Sequence, residues 1–365
     1  VKVLFIARAS LFSDRGGDTV QLQRTVECLA QLGVQADIRL TGEEIDYSPY
    51  DLLHFFNLSL PADILQHVTI SGKPFVVSPV LVDYREAEGR TRKGIARLFF
   101  SLVSEETTGY LKALGKRYLA GERIGSRAYW LRGHRRCIRY ILKKTSMLLP
   151  NSESEYQRLQ TRYGGAPPHR IIPNGIDTRI FRTFAGLPER EPGLVLCAGR
   201  IERRKNQLNL IRAVNDSPFR LILAGSPAVH QPNYYDQCRR AAGPGVTFIE
   251  GLSQKQLLAY YGRAQVHALP SWSETTGLSS LEAAVMGCAV VISAKGDTRE
   301  YFENDAFYCD PGSPASIREA ITLAAGHGPS ECLRARILAR YTWPLAGAAT
   351  LDAYKAVLAS SIKKP

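Results

Sequence analysis

The sequence predicts an α/β protein built on two doubly wound parallel sheets, and three observations carry that expectation. Short apolar runs bounded by Gly, Pro and polar residues alternate with stretches whose apolar residues recur at helical period. The strand-like runs are apolar almost throughout, as strands covered by helices on both faces must be. The pattern then resets after a Pro- and Gly-rich stretch, residues 167–193, so the 365-residue chain divides into two similar halves.

In the first half, residues 1–7 form an apolar run that ends in a polar loop carrying Gly16-Gly17. Residues 19–32 recur at helical period, with Gly33 as a natural stop. Residues 51–56 and 74–78 read as further buried strands. Residues 147–150 lead to Asn151, read as the cap of a helix over 152–163. The second series runs strand 194–198, helix 206–214, strand 220–224, strand 246–249, helix 253–262, strand 266–269, helix 278–286 and strand 289–293. A last helical pattern covers 344–362. The expected organisation is a domain over 1–180 with a basic helical insertion at 85–145, a second domain over 181–343, and a C-terminal helix, 344–365, beyond the second sheet.

Composition bounds the rest. With 45% hydrophobic residues the chain is ordinary globular material. Its apolar stretches, such as 95–103, are about half of what spans a bilayer, and no charged-then-apolar leader is seen, so a soluble protein is expected. Seven cysteines are scattered without a Cys-x-x-Cys pair or a nearby His at metal spacing. That suggests reduced thiols and a cytoplasmic setting.

The net charge of +13 is concentrated: between Arg85 and Lys144 sixteen Lys or Arg face five Asp or Glu, a net of +11. Apolar residues recur among these charges (Ile95, Leu98, Phe99, Leu102, Tyr129, Trp130, Ile138, Tyr140, Ile141) as on helices with one basic and one apolar face. Two readings stand: a solvated basic face over a packed interior, or peripheral contact with an anionic membrane surface at the inner face of a membrane. Nucleic acid is the weaker candidate partner.

Ligands of open parallel sheets sit beyond the carboxyl ends of the strands, so the segments just after strands are the candidate site. After the opening strand, Gly16-Gly17 would let a backbone approach a ligand closely and leave N–H groups free before a helix, which suits phosphate. It fits neither the dinucleotide fingerprint nor the Walker pattern, and an ordinary flexible loop is an equal reading. After the strand at 194–198, Gly199-Arg200 and Lys205 place two cations at the ligand edge, either against a diphosphate or facing water. Beyond Pro270, Glu274 lies on a loop, a helix starts near Gly277-Leu278, and Glu282 sits about one turn in. Unpaired N–H groups at that helix start would meet an anion, bracketed by the two carboxylates. Such a bracket suits a nucleoside-diphosphate sugar: acceptors for sugar and ribose hydroxyls at either end, phosphates between.

Seven residues separate Glu274 from Glu282, as in the E-x7-E motif of retaining glycosyltransferases. Together with Gly16-Gly17, Pro173-Asn174-Gly175-Ile176-Asp177, Gly199-Arg200 with Lys205, and Leu281-Glu282-Ala283-Ala284 running to Gly287, the sequence resembles glycosyltransferase family four. The resemblance implies a GT-B fold of two Rossmann-like domains facing a cleft, transfer with retention from a nucleoside-diphosphate sugar to a saccharide, and a helix after Trp343-Pro344, residues 344–365, that crosses back to the first domain. Contact of the basic and apolar block with a membrane would suit a lipid-linked saccharide acceptor, as in surface polysaccharide assembly. It implies that Glu274 holds donor-sugar hydroxyls and Glu282 the ribose. Arg200 and Lys205 would bind the diphosphate, helped by N–H groups around Thr276, Gly277 and Leu278. The Gly16-Gly17 loop would close over the phosphates, and Gly251-Leu252 would hold the base, although a tight strand-to-helix turn explains that pair equally well. No cofactor or metal is expected beyond the donor substrate, and no Asp-x-Asp occurs.

The match departs from the family where many members carry a first-domain His. Here Asp83 either stands in as a polar or basic group or caps the next helix. His54 is read as a satisfied core histidine that could instead face the cleft. Thr275-Thr276 replaces the Gly-Phe common after the first glutamate, which puts the donor-sugar contacts in doubt. Two other classes compete. A sugar-nucleotide 2-epimerase would turn over the nucleotide sugar without an acceptor, and a non-catalytic polyanion-binding protein would leave Glu274 idle.

Overall fold

The computed structural model describes residues 1–14, 16–81, 129, 132–181, 189–229 and 231–362. Asp83 and most of the basic stretch 85–144 therefore lie outside the described residues. The chain forms two compact units, divided between Pro173 and Asn174 and again between Thr342 and Trp343.

The first unit holds β1 (Lys2–Ala7), α1 (Gly17–Gln31), β2 (Gln35–Leu40), β3 (Leu52–Phe56), α2 (Pro61–Ser71), β4 (Phe75–Ser78), α3 (His134–Lys144), β5 (Met147–Leu148) and α4 (Glu153–Tyr163). Its strands form a parallel five-stranded sheet in the order β2-β1-β3-β4-β5. Leu4, Ile6, Leu53, Phe55, Phe75 and Val77 pack on one face with Ile138, Ile141 and Leu159. Ser152 caps α4, not Asn151: its Oγ accepts from the Glu155 N–H at 3.0 Å. The Asn151 amide instead exchanges hydrogen bonds with Gln21 of α1. In α3 the apolar residues Cys137, Ile138, Ile141 and Leu142 are buried, while Arg135, Arg136, Arg139, Lys143 and Lys144 are exposed. Over this helix the apolar side is spent on the unit's own core and only the basic side is outward.

The second unit holds β6 (Glu191–Ala198), a 3₁₀ turn (Arg203–Lys205), α5 (Gln207–Val214), β7 (Arg220–Ala224), α6 (Pro232–Ala241), β8 (Val246–Ile249), α7 (Gln254–Arg263), β9 (Ala264–Leu269), α8 (Leu278–Val285), β10 (Ala289–Ser293), α9 (Thr298–Phe302), β11 (Phe307–Cys309), α10 (Pro314–His327) and α11 (Glu331–Arg340). Its six parallel strands run β11-β10-β9-β6-β7-β8. Along β6, Leu194, Leu196 and Ala198 join the core on one face of the sheet, while Val195 and Cys197 join the core on the other. This two-sided apolarity is what parallel strands require. The strand order reverses between β6 and β9, so the carboxyl ends of those two strands flank the crevice where such sheets take ligands.

From Trp343 the chain returns to the first unit as α12 (Trp343–Ile362), which packs along α1. A Cβ on Gly347 would come within 2.6 Å of the Cys28 Cβ, so the absence of a side chain is what lets the two helices approach. Buried His54 ties the same helix to the sheet: its Nδ1 is 2.7 Å from the Tyr354 hydroxyl and its Nε2 is 2.9 Å from Ser78 Oγ. Burial lowers its pKa to about 3, so the ring is neutral, a satisfied core histidine.

Candidate donor site

The loops after β6 and β9 meet at the strand-order reversal. After β6, the 3₁₀ turn places Arg204 and Lys205 side by side. Asn206 then takes a left-handed conformation, φ 62°, and its side-chain amide donates to the carbonyls of Pro270, at 3.0 Å, and Pro311, at 2.7 Å. The first of these bonds and the Trp272 N–H on the Arg204 carbonyl at 2.8 Å hold the two loops together, and the second ties them to the loop after β11.

At their junction Glu274 is 6% exposed. Lys205 Nζ donates to its Oε2 at 2.9 Å, Ser271 Oγ donates to the same oxygen at 3.0 Å, and Arg204 Nη1 lies 3.4 Å from both oxygens. Burial pushes this carboxyl up, but the Lys205 and Arg204 charges and the Lys205 and Ser271 hydrogen bonds outweigh burial and hold it at about 2. Glu274 is thus a fixed carboxylate at neutral pH. A second buried carboxylate, Glu202, accepts from Arg200 Nη2 and Arg204 Nη2, each at 2.8 Å, and these cations lower its pKa against the effect of burial. Arg204 therefore bridges the two acids, and three cations face two carboxylates. Arg200, with 30% of its side chain exposed, is the most accessible of the three, against 15% for Arg204 and 14% for Lys205.

Both cations expected at this edge, Arg200 and Lys205, are there, beside Gly199. Glu202, Arg204 and Ser271 are additions: Arg204 reaches Glu274 seventy positions along the chain, whereas Glu202 and Ser271 meet partners two and three positions away but belong to no motif. Gly277, at φ 73°, is the N-cap of α8 and has no side chain with which to cap it, so the helix opens onto this loop through backbone alone. The Thr276 side chain is buried and already engaged: its Oγ1 accepts from Asn174 Nδ2 at 3.1 Å and donates to Tyr301 Oη at 3.4 Å. Glu282, in the second turn of α8, is half-buried and accepts from Tyr261 Oη at 2.9 Å. Gly251 follows β8 at φ 71°, and Leu252 packs against the core beneath the sheet.

The Gly16-Gly17 loop differs from expectation. Its N–H groups are not all left free: Gly16 N–H donates to Thr19 Oγ1 at 3.1 Å, and Thr19 N–H returns to Gly16 O at 3.1 Å. Gly16 is extended, at φ −142°, which any residue adopts. The preceding turn is organised by Arg8, which pairs with Asp18 at 2.8 Å and donates to the carbonyls of Ser10 and Asp14.

Residues 180–331 match the family model described as glycosyl transferases group 1. The chain is 27% identical over 230 residues to a glycogen synthase of Mycobacterium tuberculosis, covering 60% of this chain and 56% of that protein. It is 28% identical over 178 residues to a D-inositol 3-phosphate glycosyltransferase of Acidothermus cellulolyticus, covering 43% and 40%. The chain thus spans about half the length of the curated relatives it matches. Among solved structures, sucrose-phosphate synthase from Thermosynechococcus elongatus superposes with a TM-score of 0.74 at 19% identity over 98% of this chain and 99% of that one. Anabaena HepE in complex with UDP and glucose gives 0.69 at 16%, over 97% and 99%. The fold is the GT-B fold, and residues 180–331, most of the second unit, match the glycosyl transferases group 1 model.

Proposed function

We propose that the protein transfers a sugar, with retention, from a nucleoside-diphosphate sugar to a saccharide or lipid-linked saccharide acceptor. The observation that carries this reading is the meeting of Lys205, Arg204 and Glu274 at the strand-order reversal of a sheet whose sequence is of glycosyltransferase type. Cleaving the bond between the sugar C1 and the diphosphate puts positive charge on C1 and negative charge on the departing oxygen. Arg200, Lys205 and the N-terminus of α8 are preorganised dipoles and charges for that oxygen, supplied by the chain itself. Glu274 accepts from donor-sugar hydroxyls, and its locked ionisation keeps it an acceptor throughout. Glu282 takes the ribose hydroxyls, and Gly251-Leu252 lies against the base. In same-face attack the departing phosphate takes the acceptor's proton, so no side chain forms a covalent bond to the sugar.

A thermal-shift panel of nucleoside diphosphates and their sugars tests this, because a ligand of the folded state stabilises it by mass action. One base series should raise the melting temperature, and the matching sugar nucleotide should release its diphosphate when acceptor is added. No shift from any member would overturn the reading.

The outward basic side of α3 supports a second element of the proposal, a cytoplasmic protein resting on an anionic membrane surface, where a lipid-linked acceptor is found. Among the described residues no helix is long and apolar enough to cross a membrane. Flotation with anionic liposomes should show binding that fades with salt, and equal recovery with neutral liposomes would remove this element.

A further inference from the structure

We infer that Glu202 is an electrostatic counterweight to the cations beside it: through Arg200 and Arg204 it limits how tightly the site holds the released nucleoside diphosphate, and so governs how fast that product leaves. The inference rests on the donor reading above and adds to it a positioning residue, one that acts on the ligand only through its neighbours.

Glu202 is buried, and its two oxygens are divided between two guanidinium groups. Oε2 accepts from Arg200 Nε at 3.1 Å and Nη2 at 2.8 Å, and Oε1 accepts from Arg204 Nη2 at 2.8 Å. Its backbone is fixed as well: the Glu202 N–H donates to Gln207 Oε1 at 3.3 Å, and Gln207 Nε2 donates back to the Arg200 carbonyl at 3.0 Å, so a fully buried amide closes the turn that carries both residues. Burial acts to raise the Glu202 pKa, and the Arg204 and Arg200 charges outweigh it, so the group stays ionised. With Lys205 and Arg204 on Glu274, the described charges of the cluster leave one positive charge in excess, where the same cluster without Glu202 would leave two.

That difference falls unequally on donor and product. The donor's diphosphate is substituted at both ends and carries about two negative charges. When the bond from C1 to its oxygen breaks, the electron pair stays on oxygen, and once the acceptor's proton has passed on to solvent the product carries about three. A positive excess therefore attracts the product more than the donor, and in a partly buried site salt screens this little. Cations without a counterweight would bind the product best of all, and its departure would limit turnover. Glu202 removes part of the excess while leaving Arg200 and Lys205 in place for the departing oxygen.

Titration calorimetry of the full chain with UDP, ADP and GDP, and then with a sugar nucleotide of the base that binds, tests the inference. Glu202→Gln should bind the bare nucleoside diphosphate about ten-fold or more tightly than the unmodified chain does, and the sugar nucleotide more tightly by a smaller factor. Its kcat should fall, with stronger inhibition by added product. Glu202→Asp keeps the charge on a shorter stem and should stay within about three-fold of the unmodified affinity. General damage to the fold would weaken binding, which is the opposite sign. Where Glu202→Gln does not fold, Glu202→Ser, neutral and smaller, reads the same tightening as a larger rise in melting temperature on adding the nucleoside diphosphate. A folded neutral variant whose affinity for the bare diphosphate is unchanged or weaker overturns the inference while the donor reading stands, and so does Glu202→Asp binding as tightly as Glu202→Gln. Binding of no nucleoside diphosphate by the unmodified chain overturns the donor reading and this inference together.

Discussion

Glu274 and Gly296 are joined backbone to backbone in an isolated parallel bridge: the Glu274 N–H reaches the Lys295 carbonyl at 3.3 Å, and the Asp297 N–H reaches the Glu274 carbonyl at 2.9 Å. Gly296 sits at φ 84°, and a Cβ there would lie 2.1 Å from the Glu274 carbonyl oxygen. The position of the candidate sugar-binding carboxylate is therefore set by a glycine on another loop. Gly296→Ala should displace the 273–275 loop, destabilise the chain by about 2 kcal/mol or more, and lower kcat. Urea unfolding and donor turnover measured on the same sample check this.

Glu274→Gln keeps the shape of the side chain and removes the charge that Lys205 and Arg204 face. It should lower kcat by orders of magnitude with the bare nucleoside diphosphate still bound, as expected of a group that acts on the sugar. Lys205→Met leaves the buried carboxylate with Arg204 and Ser271, and should cost about 3 kcal/mol. Because the Glu274 pKa is depressed, its share of stability is complete above about pH 4.5 and is lost as pH falls toward about 2. Losing Lys205 should move that acid limb to higher pH, as urea unfolding across pH 2 to 5 would show.

Much of this site was legible as sequence, and the reason is local. Glu274, Glu282, Gly199, Arg200 and Lys205 lie just after strands or at a helix start, where spacing alone assigns them to the ligand edge. Arg204, Tyr261 and Gly296 were not legible because their meaning is tertiary: Arg204 matters through Glu274, seventy positions along the chain. Glu202 and Ser271 have partners only two and three positions away, but nothing in their spacing marks them as more than solvated polar residues. The fold shows the same division. Apolar strands such as β7, β8 and β10 were read to the residue. β2 was passed over because as a half-exposed edge strand, Gln35–Leu40, it lacks a continuous apolar run. α6 has only Tyr234 and Cys238 buried, too thin a stripe to see. α2 was within reach, since it opens on Pro61 and ends at Gly72 in a left-handed conformation, the ordinary punctuation of a helix.

Gly17 separates packing from ligand contact in the first unit. A Cβ there would meet nothing within 4 Å, and the residue opens α1. Gly17→Ala should fold normally and be stabilised by up to about 1 kcal/mol. If the loop closes over the phosphates, the same change should raise KM for the donor several-fold. Unchanged donor KM would remove the loop from the site.

His267 predicts an acid-sensitive second unit. The ring is fully buried in β9, its Nε2 has no hydrogen-bond partner among the described residues, and burial together with the Lys205 charge lowers its pKa to about 3. A base with a depressed pKa binds its proton more readily in the unfolded chain, so stability is lost as pH falls below about 6.5, by about 2 kcal/mol at pH 5. His267→Leu removes the unpaired nitrogen and also the Nδ1 contact of Ser280 Oγ at 3.4 Å, so it should cost about 1 kcal/mol at pH 7.5 while flattening the loss between pH 6.5 and 5. Urea midpoints across that range are the measurement.

Because α12 belongs to the first unit, the order of synthesis and the order of assembly differ. A ribosome delivers Tyr354 only after every residue of the second unit, so until then the nascent first unit carries a bare flank on α1 and a His54 Nδ1 that lacks its Tyr354 partner. Its final closure therefore waits until the whole second unit has been synthesised.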